Sequence, residues 1–148
     1  MRPQPDTETF RNVNVNPKGR NTGDCVIRAL ASVTGNGWDD VLDSLVGIAH
    51  RTKYSVASRE VYTEYLNGYG FVRRKQIKHV DGKKYTGEQF CRYLDELTDE
   101  TGKEYVVFAH IGTKHVTSFK MYNGKYRIHD AWNCGPWCVG IFYIREIL

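Results

Sequence analysis

The sequence predicts an α+β fold, with N-terminal helices packed on a C-terminal antiparallel sheet. Three observations point to it. Apolar residues recur at helical spacing from Val26 to Leu66, β-branched and aromatic residues dominate the segments after Tyr105, and Asn123-Gly124 stands between two of those segments as a hairpin turn. A chain of 148 residues with 41% hydrophobic content can bury one sizeable core, so a single unit is expected.

Residues 1–20 hold three of the four prolines and show no helical or strand periodicity. They read as an extended or partly disordered arm, with the folded domain over residues 21–148. Val26, Ile27, Leu30, Ala31 and Val33 form the first helical stripe, which Thr34-Gly35-Asn36-Gly37 ends. Trp38, Val41, Leu42, Leu45 and Ile48 form a second, and Val61, Tyr62, Tyr65 and Leu66 a third that closes at Asn67-Gly68. Residues 71–78 alternate as a strand, then Thr86 precedes a fourth helix carrying Phe90, Tyr93, Leu94 and Leu97. Further strands are expected at residues 105–111, 115–122, 126–132 and 139–147, with the helices covering one face of the sheet. The chain contains no internal repeat.

Net charge is +4, but the basic residues are scattered, and the densest group, Arg73, Arg74, Lys75 and Lys78, falls in a predicted strand. A solvated strand face accounts for such a run, so nucleic-acid binding is not expected. No apolar run approaches the ~18 residues of a membrane span and the start lacks the apolar centre of a signal peptide, which predicts a soluble, cytoplasmic protein with no membrane association. Cys25, Cys91, Cys134 and Cys138 are expected as free thiols. Without a Gly-rich phosphate loop or an HExxH pair, nucleotide hydrolases and zinc proteases have no foothold, and no cofactor is expected. Nothing in the sequence specifies an oligomeric state.

A thiolate is the reactive form of cysteine, and the positive end of a helix dipole favours it, so a nucleophilic cysteine suits the first turn of a helix. Cys25 is predicted there, after Asn21-Thr22-Gly23-Asp24, where Thr22 or Asp24 caps the helix and Gly23 lets the backbone pass close to a substrate. The Asn21 amide is a candidate oxyanion donor beside a backbone N–H. A base must come from elsewhere in the chain, and His115 opens the strand segment HVTSFKMY. With Asn123-Gly124 as a two-residue turn, His115 opposes Trp132 and lies diagonally near Asp130, which would orient the imidazole and stabilise its charged form. Gly23, Asp24 and Trp132 are candidate walls of a substrate groove.

The stretches NTGDCVIRALA, KHVTSFK and RIHDAWNCG resemble, in order and strand context, the Cys, His and Asp/Asn of the papain-like cysteine peptidase superfamily. C39-like and NlpC/P60-like branches and small phage-encoded papain-like proteins are similar. Asp24-Cys25-Val26-Ile27 departs from the Asp-Cys-Ser-Gly usual in NlpC/P60 enzymes, so the resemblance is to the superfamily. It implies a peptidase or amidase with catalytic Cys25, His115 and Asp130, an acyl-thioester on Cys25, and a protein or peptide substrate. The same resemblance admits an inactive binding protein, viral and directed at a host factor, and a transglutaminase-like acyl transferase.

Other readings compete at each position. Cys25 beside Val26 and Ile27 also suits a core thiol, and His115 a hydrogen-bonded strand histidine. His129 and Asn133 compete with Asp130, because a one-residue register slip reverses the facing side chains. His129, Cys134 and Cys138 offer zinc-type donors, but a single C-x3-C pair falls short of four ligands, so no metal is expected. Trp132 and Trp137 either wall a groove or fill the core, and Cys91 among Phe90, Tyr93 and Leu94 is expected to be packed.

Overall fold

The computed structural model describes residues 4–147. In chain order the elements are β1 (Phe10–Asn12), α1 (Cys25–Thr34), α2 (Trp38–Thr52), α3 (Arg59–Gly68), β2 (Val72–Arg74), α4 (Gly87–Thr101), β3 (Glu104–Ile111), β4 (His115–Tyr122), β5 (Lys125–Asp130) and β6 (Val139–Ile147). The fold is α+β, as the periodicity predicts. One six-stranded sheet runs β1-β5-β4-β3-β6-β2.

Local chemistry explains the boundaries. The Ser58 side chain caps α3, and Thr86 caps α4 in a reciprocal box with Gln89, each cap contributing about 1 kcal/mol. Asn123 and Gly124 both take left-handed backbone angles, φ 53° and 82°, the requirement of a two-residue turn whose twist matches its strands. That turn sets the register Tyr122↔Lys125 through Ser118↔His129. Extending it by pairs sets Thr117 opposite Asp130 and His115 opposite Trp132.

Two expectations about layers are corrected. The helices cover both faces: α1, α2 and α3 pack with Val106, Phe108, Val116 and Tyr143, whereas α4 packs with Val107, Ala109, Ile111, Phe119 and Phe142 on the other side. Strand residues alternate between faces, and β3 is apolar in both of its alternating sets, so each face requires a cover. The sheet is also mixed rather than antiparallel, because the stretch expected as an arm supplies β1, parallel to β5. Phe10 is fully buried there, and β1 covers what would otherwise be an open edge on β5. The folded unit thus begins well before Asn21.

Smaller differences concern strand length. The strand expected at residues 71–78 is hydrogen-bonded only over Val72–Arg74, beyond which the chain turns back through a Lys78↔Lys84 bridge. β5 stops at Asp130, where the chain bends toward Trp132. No helix among the described residues is long and apolar enough to cross a membrane.

Candidate active site

Cys25 is the first residue of α1 and Asp24 its N-cap. The Asp24 carboxylate caps none of the helix amides. It instead accepts from Asn16 Nδ2 at 2.8 Å and Trp38 Nε1 at 2.9 Å, and pairs with Arg28 one turn on. One carboxylate thereby ties the N-terminal segment, α1 and α2 together. The first N–H groups of α1, which have no intrahelical acceptor, are left without a side-chain cap.

His115 begins β4 and Asp130 ends β5, and the hairpin brings them together as its register predicts. His115 Nε2 donates to Asp130 Oδ2 at 2.7 Å, with both side chains buried. The Thr117 hydroxyl donates to the same oxygen at 2.6 Å, and the Cys134 thiol approaches it at 3.8 Å. The other oxygen, Oδ1, accepts the Ala131 N–H at 2.7 Å and lies 3.7 Å from an Arg28 guanidinium nitrogen. Buried carboxylates need this many partners, because each unsatisfied lone pair carries a desolvation cost.

These contacts set the charges. Burial opposes the Cys25 thiolate, but the His115 ring, the Val116 backbone N–H and the charges of His115 and Arg28 outweigh it. The thiol is held below its ordinary value of 9.0. Burial also opposes charge on His115. Its bonds to Asp130, Cys134 and Cys25, with the Asp130 charge, reverse the sign and push the imidazole up to about 11. Burial raises the Cys134 thiol despite its bond to His115, so only one of the two cysteines near the ring favours the thiolate.

The remaining candidates separate clearly. Trp132 is half-buried and its ring lies on His115, centroids 4.5 Å apart. Trp137 meets both rings edge-on, at 6.3 Å from His115 and 5.1 Å from Trp132, and is 44% exposed. Both tryptophans therefore enclose the base. Gly23 and Asn21 are exposed ahead of α1, Gly23 at φ 82° with open space around its missing side chain. Asp24 is committed inside the fold. His129, the competitor of Asp130, sits on the opposite face of β5, where burial and the charges of Lys120, Arg11 and Arg127 push it down to about 4. Cys91 is packed, as expected.

Sequence reasoning missed Arg28, Thr117 and Cys134 as partners of the carboxylate. Thr117 was accessible in principle, since i and i+2 on a strand share a face with His115. Arg28 lies one helical turn beyond Asp24 and Cys25, a spacing that does not name its far partner.

Ligand-type atoms of His115, Asp130 and Cys134 lie within 4.8 Å of one another. The Asp130 oxygen that a cation would need already accepts from His115 and Thr117, and Arg28 stands by the other. The cluster is internally satisfied and has a positive neighbour, which does not suit a cation. Compared with protein-family models, curated proteins and solved structures, the chain matches none.

Proposed function

We propose that this chain is a papain-like cysteine hydrolase, a peptidase or amidase that cleaves through an acyl-thioester on Cys25. The observation that carries the reading is the convergence of a thiol with lowered pKa at a helix start, a histidine with raised pKa, and a carboxylate 2.7 Å from that histidine. Chain order supports it as well, since the three residues follow the sequence Cys, His, Asp on a helix and a hairpin.

Chemistry follows from the geometry. Nε2 of His115 is committed to Asp130, so Nδ1 is the nitrogen left to serve the thiol. The Cys25 thiolate attacks an amide carbonyl carbon, forming a C–S bond and moving the carbonyl electron pair onto oxygen. Free N–H groups at the start of α1, that of Cys25 first, stabilise this oxyanion, and Asn21 is a candidate second donor. When the C–N bond breaks, the proton on Nδ1 passes to the departing nitrogen and an acyl-thioester remains. Water then attacks that carbonyl, gives its proton to Nδ1, and releases a carboxylic acid and the thiolate.

The test uses a pool of peptides cut from an unrelated proteome, incubated with the protein, with new termini read by mass spectrometry. Wild-type protein should generate new amino termini, and Cys25→Ala should generate none. New termini produced equally by Cys25→Ala would reject the reading. Products joined to added amines, without free acids, would assign the same triad to acyl transfer instead.

A further inference from the structure

A second group of side chains lies on the α3 side of the thiol. His110 pairs with Val116 across β3 and β4, and Val116 is the residue whose N–H reaches Cys25. The His110 ring meets the Tyr62 hydroxyl at 2.5 Å and the Tyr62 ring edge-on, with centroids 5.9 Å apart. Arg59 opens α3 one turn before Tyr62 and places its guanidinium beside that hydroxyl. Arg73 reaches the same face by register: Phe108 pairs with Tyr143 and Tyr143 with Arg73, so these side chains project with that of His110.

The charge of this group is uncompensated. Arg59 and Arg73 are exposed and make no ion pair among the described residues. Burial, then Arg59 and Arg73, push His110 down to about 4, so at neutral pH the ring is uncharged and the two guanidinium groups supply the positive field. An open cleft of about 450 Å³ adjoins it, walled by Gln76, Lys84, Gly112, Trp137 and Gly140, with no carboxylate in its lining. Its Gly140 wall lies against His110, where an added Cβ would stand 3.4 Å from the His110 Cβ. Its Trp137 wall lies against His115. The lining of the cleft thus borders His110 at Gly140 and the base of the triad at Trp137, and Lys84 adds a third cation along it.

We propose that the substrate is an extended peptide segment bearing a carboxylate close to the scissile bond, which lies in this cleft and sets the carboxylate against Arg59 and Arg73. This rests on the hydrolase reading and adds a substrate class to it. Arginine suits the task, because its planar fork can grip both carboxylate oxygens and stays charged at any working pH. The role is specificity rather than chemistry, since neither arginine bonds the thiol, the base or Asp130.

The experiment compares cleavage-site profiles of wild type, Arg59→Gln/Arg73→Gln and Arg59→Glu/Arg73→Glu on the same peptide pool. Alkylation of Cys25 is measured in parallel to show that each variant keeps its folded site. Wild type should favour Asp or Glu over Asn or Gln at one fixed position by about 1.5-fold to fivefold per arginine, the range of a solvent-exposed ion pair. The glutamine variant should lose that preference, and the glutamate variant should turn it toward Lys or Arg. Added polyglutamate should slow cleavage in wild type alone. Cleavage with no acidic preference, or with one that both variants keep, overturns this inference and leaves the hydrolase reading standing. Stronger competition by a single-stranded oligonucleotide than by polyglutamate of equal charge overturns it too, in favour of phosphate binding. No Cys25-dependent cleavage by wild type rejects the hydrolase reading and the inference with it.

Discussion

His115 Nε2 and Asp130 Oδ2 stand 2.7 Å apart, at the open end of a hairpin whose turn lies at Asn123-Gly124. The pair is buried, with Thr117 donating to the same oxygen and Arg28 standing by the other. Orientation and charge of the imidazole therefore both depend on Asp130. Asp130→Asn keeps the shape and removes the charge, so it should lower kcat by roughly 10²–10⁴ with little change in KM. Asp130→Ala should in addition destabilise the fold by about 3–5 kcal/mol, because it leaves the charged His115 imidazole buried without its carboxylate. Steady-state kinetics and denaturant unfolding separate the two effects.

The raised pKa of His115 ties stability to pH. An imidazole that titrates near 6.5 when unfolded and at about 11 when folded binds a proton more tightly in the native state. Its contribution is therefore complete below 6.5 and is lost as pH rises through that window toward 11. Wild type should lose more of its denaturant resistance between about pH 6 and about pH 10 than His115→Gln, which has no such group. Equal losses would contradict the assignment of charge to His115. Thiolate chemistry runs in the matching direction, with Cys25 reactivity rising through a midpoint below 9.0 and persisting until His115 deprotonates.

Gly112 tests the wall of the site. Its φ of 66° disfavours any side chain, and a Cβ there would stand 2.4 Å from the Trp137 ring. Gly112→Ala should cost about 1–3 kcal/mol, push Trp137 away from His115, and red-shift the tryptophan emission as that ring becomes wetter. An unchanged melting temperature and emission spectrum would show that Trp137 is not held by this approach.

The legible parts of the molecule are those whose chemistry is local. Thr86 with Gln89 marks a helix start, and Asn123-Gly124 marks a turn whose type dictates the register, which is why the meeting of His115 with Asp130 and Trp132 could be read from strand alternation alone. Phe10 could not be read this way. A three-residue strand has no period, and Phe10 enters the core only because β5 offers an edge for it to pair with. The side of the sheet taken by α4 was equally hidden, since Phe90, Cys91 and Leu94 form an apolar stripe that fits either face. Cys134 and Cys138 form a C-x3-C pair in sequence, too few donors for a metal, and the sequence does not say which of the two is buried. In the fold Cys134 is buried beside Asp130 while Cys138 is exposed, because the Gly135-Pro136 turn points the two cysteines apart.

Cys25 is the point on which the account turns, and Cys138 provides an internal control, being the more exposed thiol of the two. The direct measurement is the rate of iodoacetamide alkylation at each cysteine against pH, in wild type and His115→Ala, read by peptide mass spectrometry. Cys25 should react faster than Cys138 at neutral pH, with a midpoint below 9.0, and His115→Ala should slow Cys25 while leaving Cys138 unchanged. Alkylation of Cys138 ahead of Cys25, or a Cys25 rate indifferent to His115, would contradict the triad.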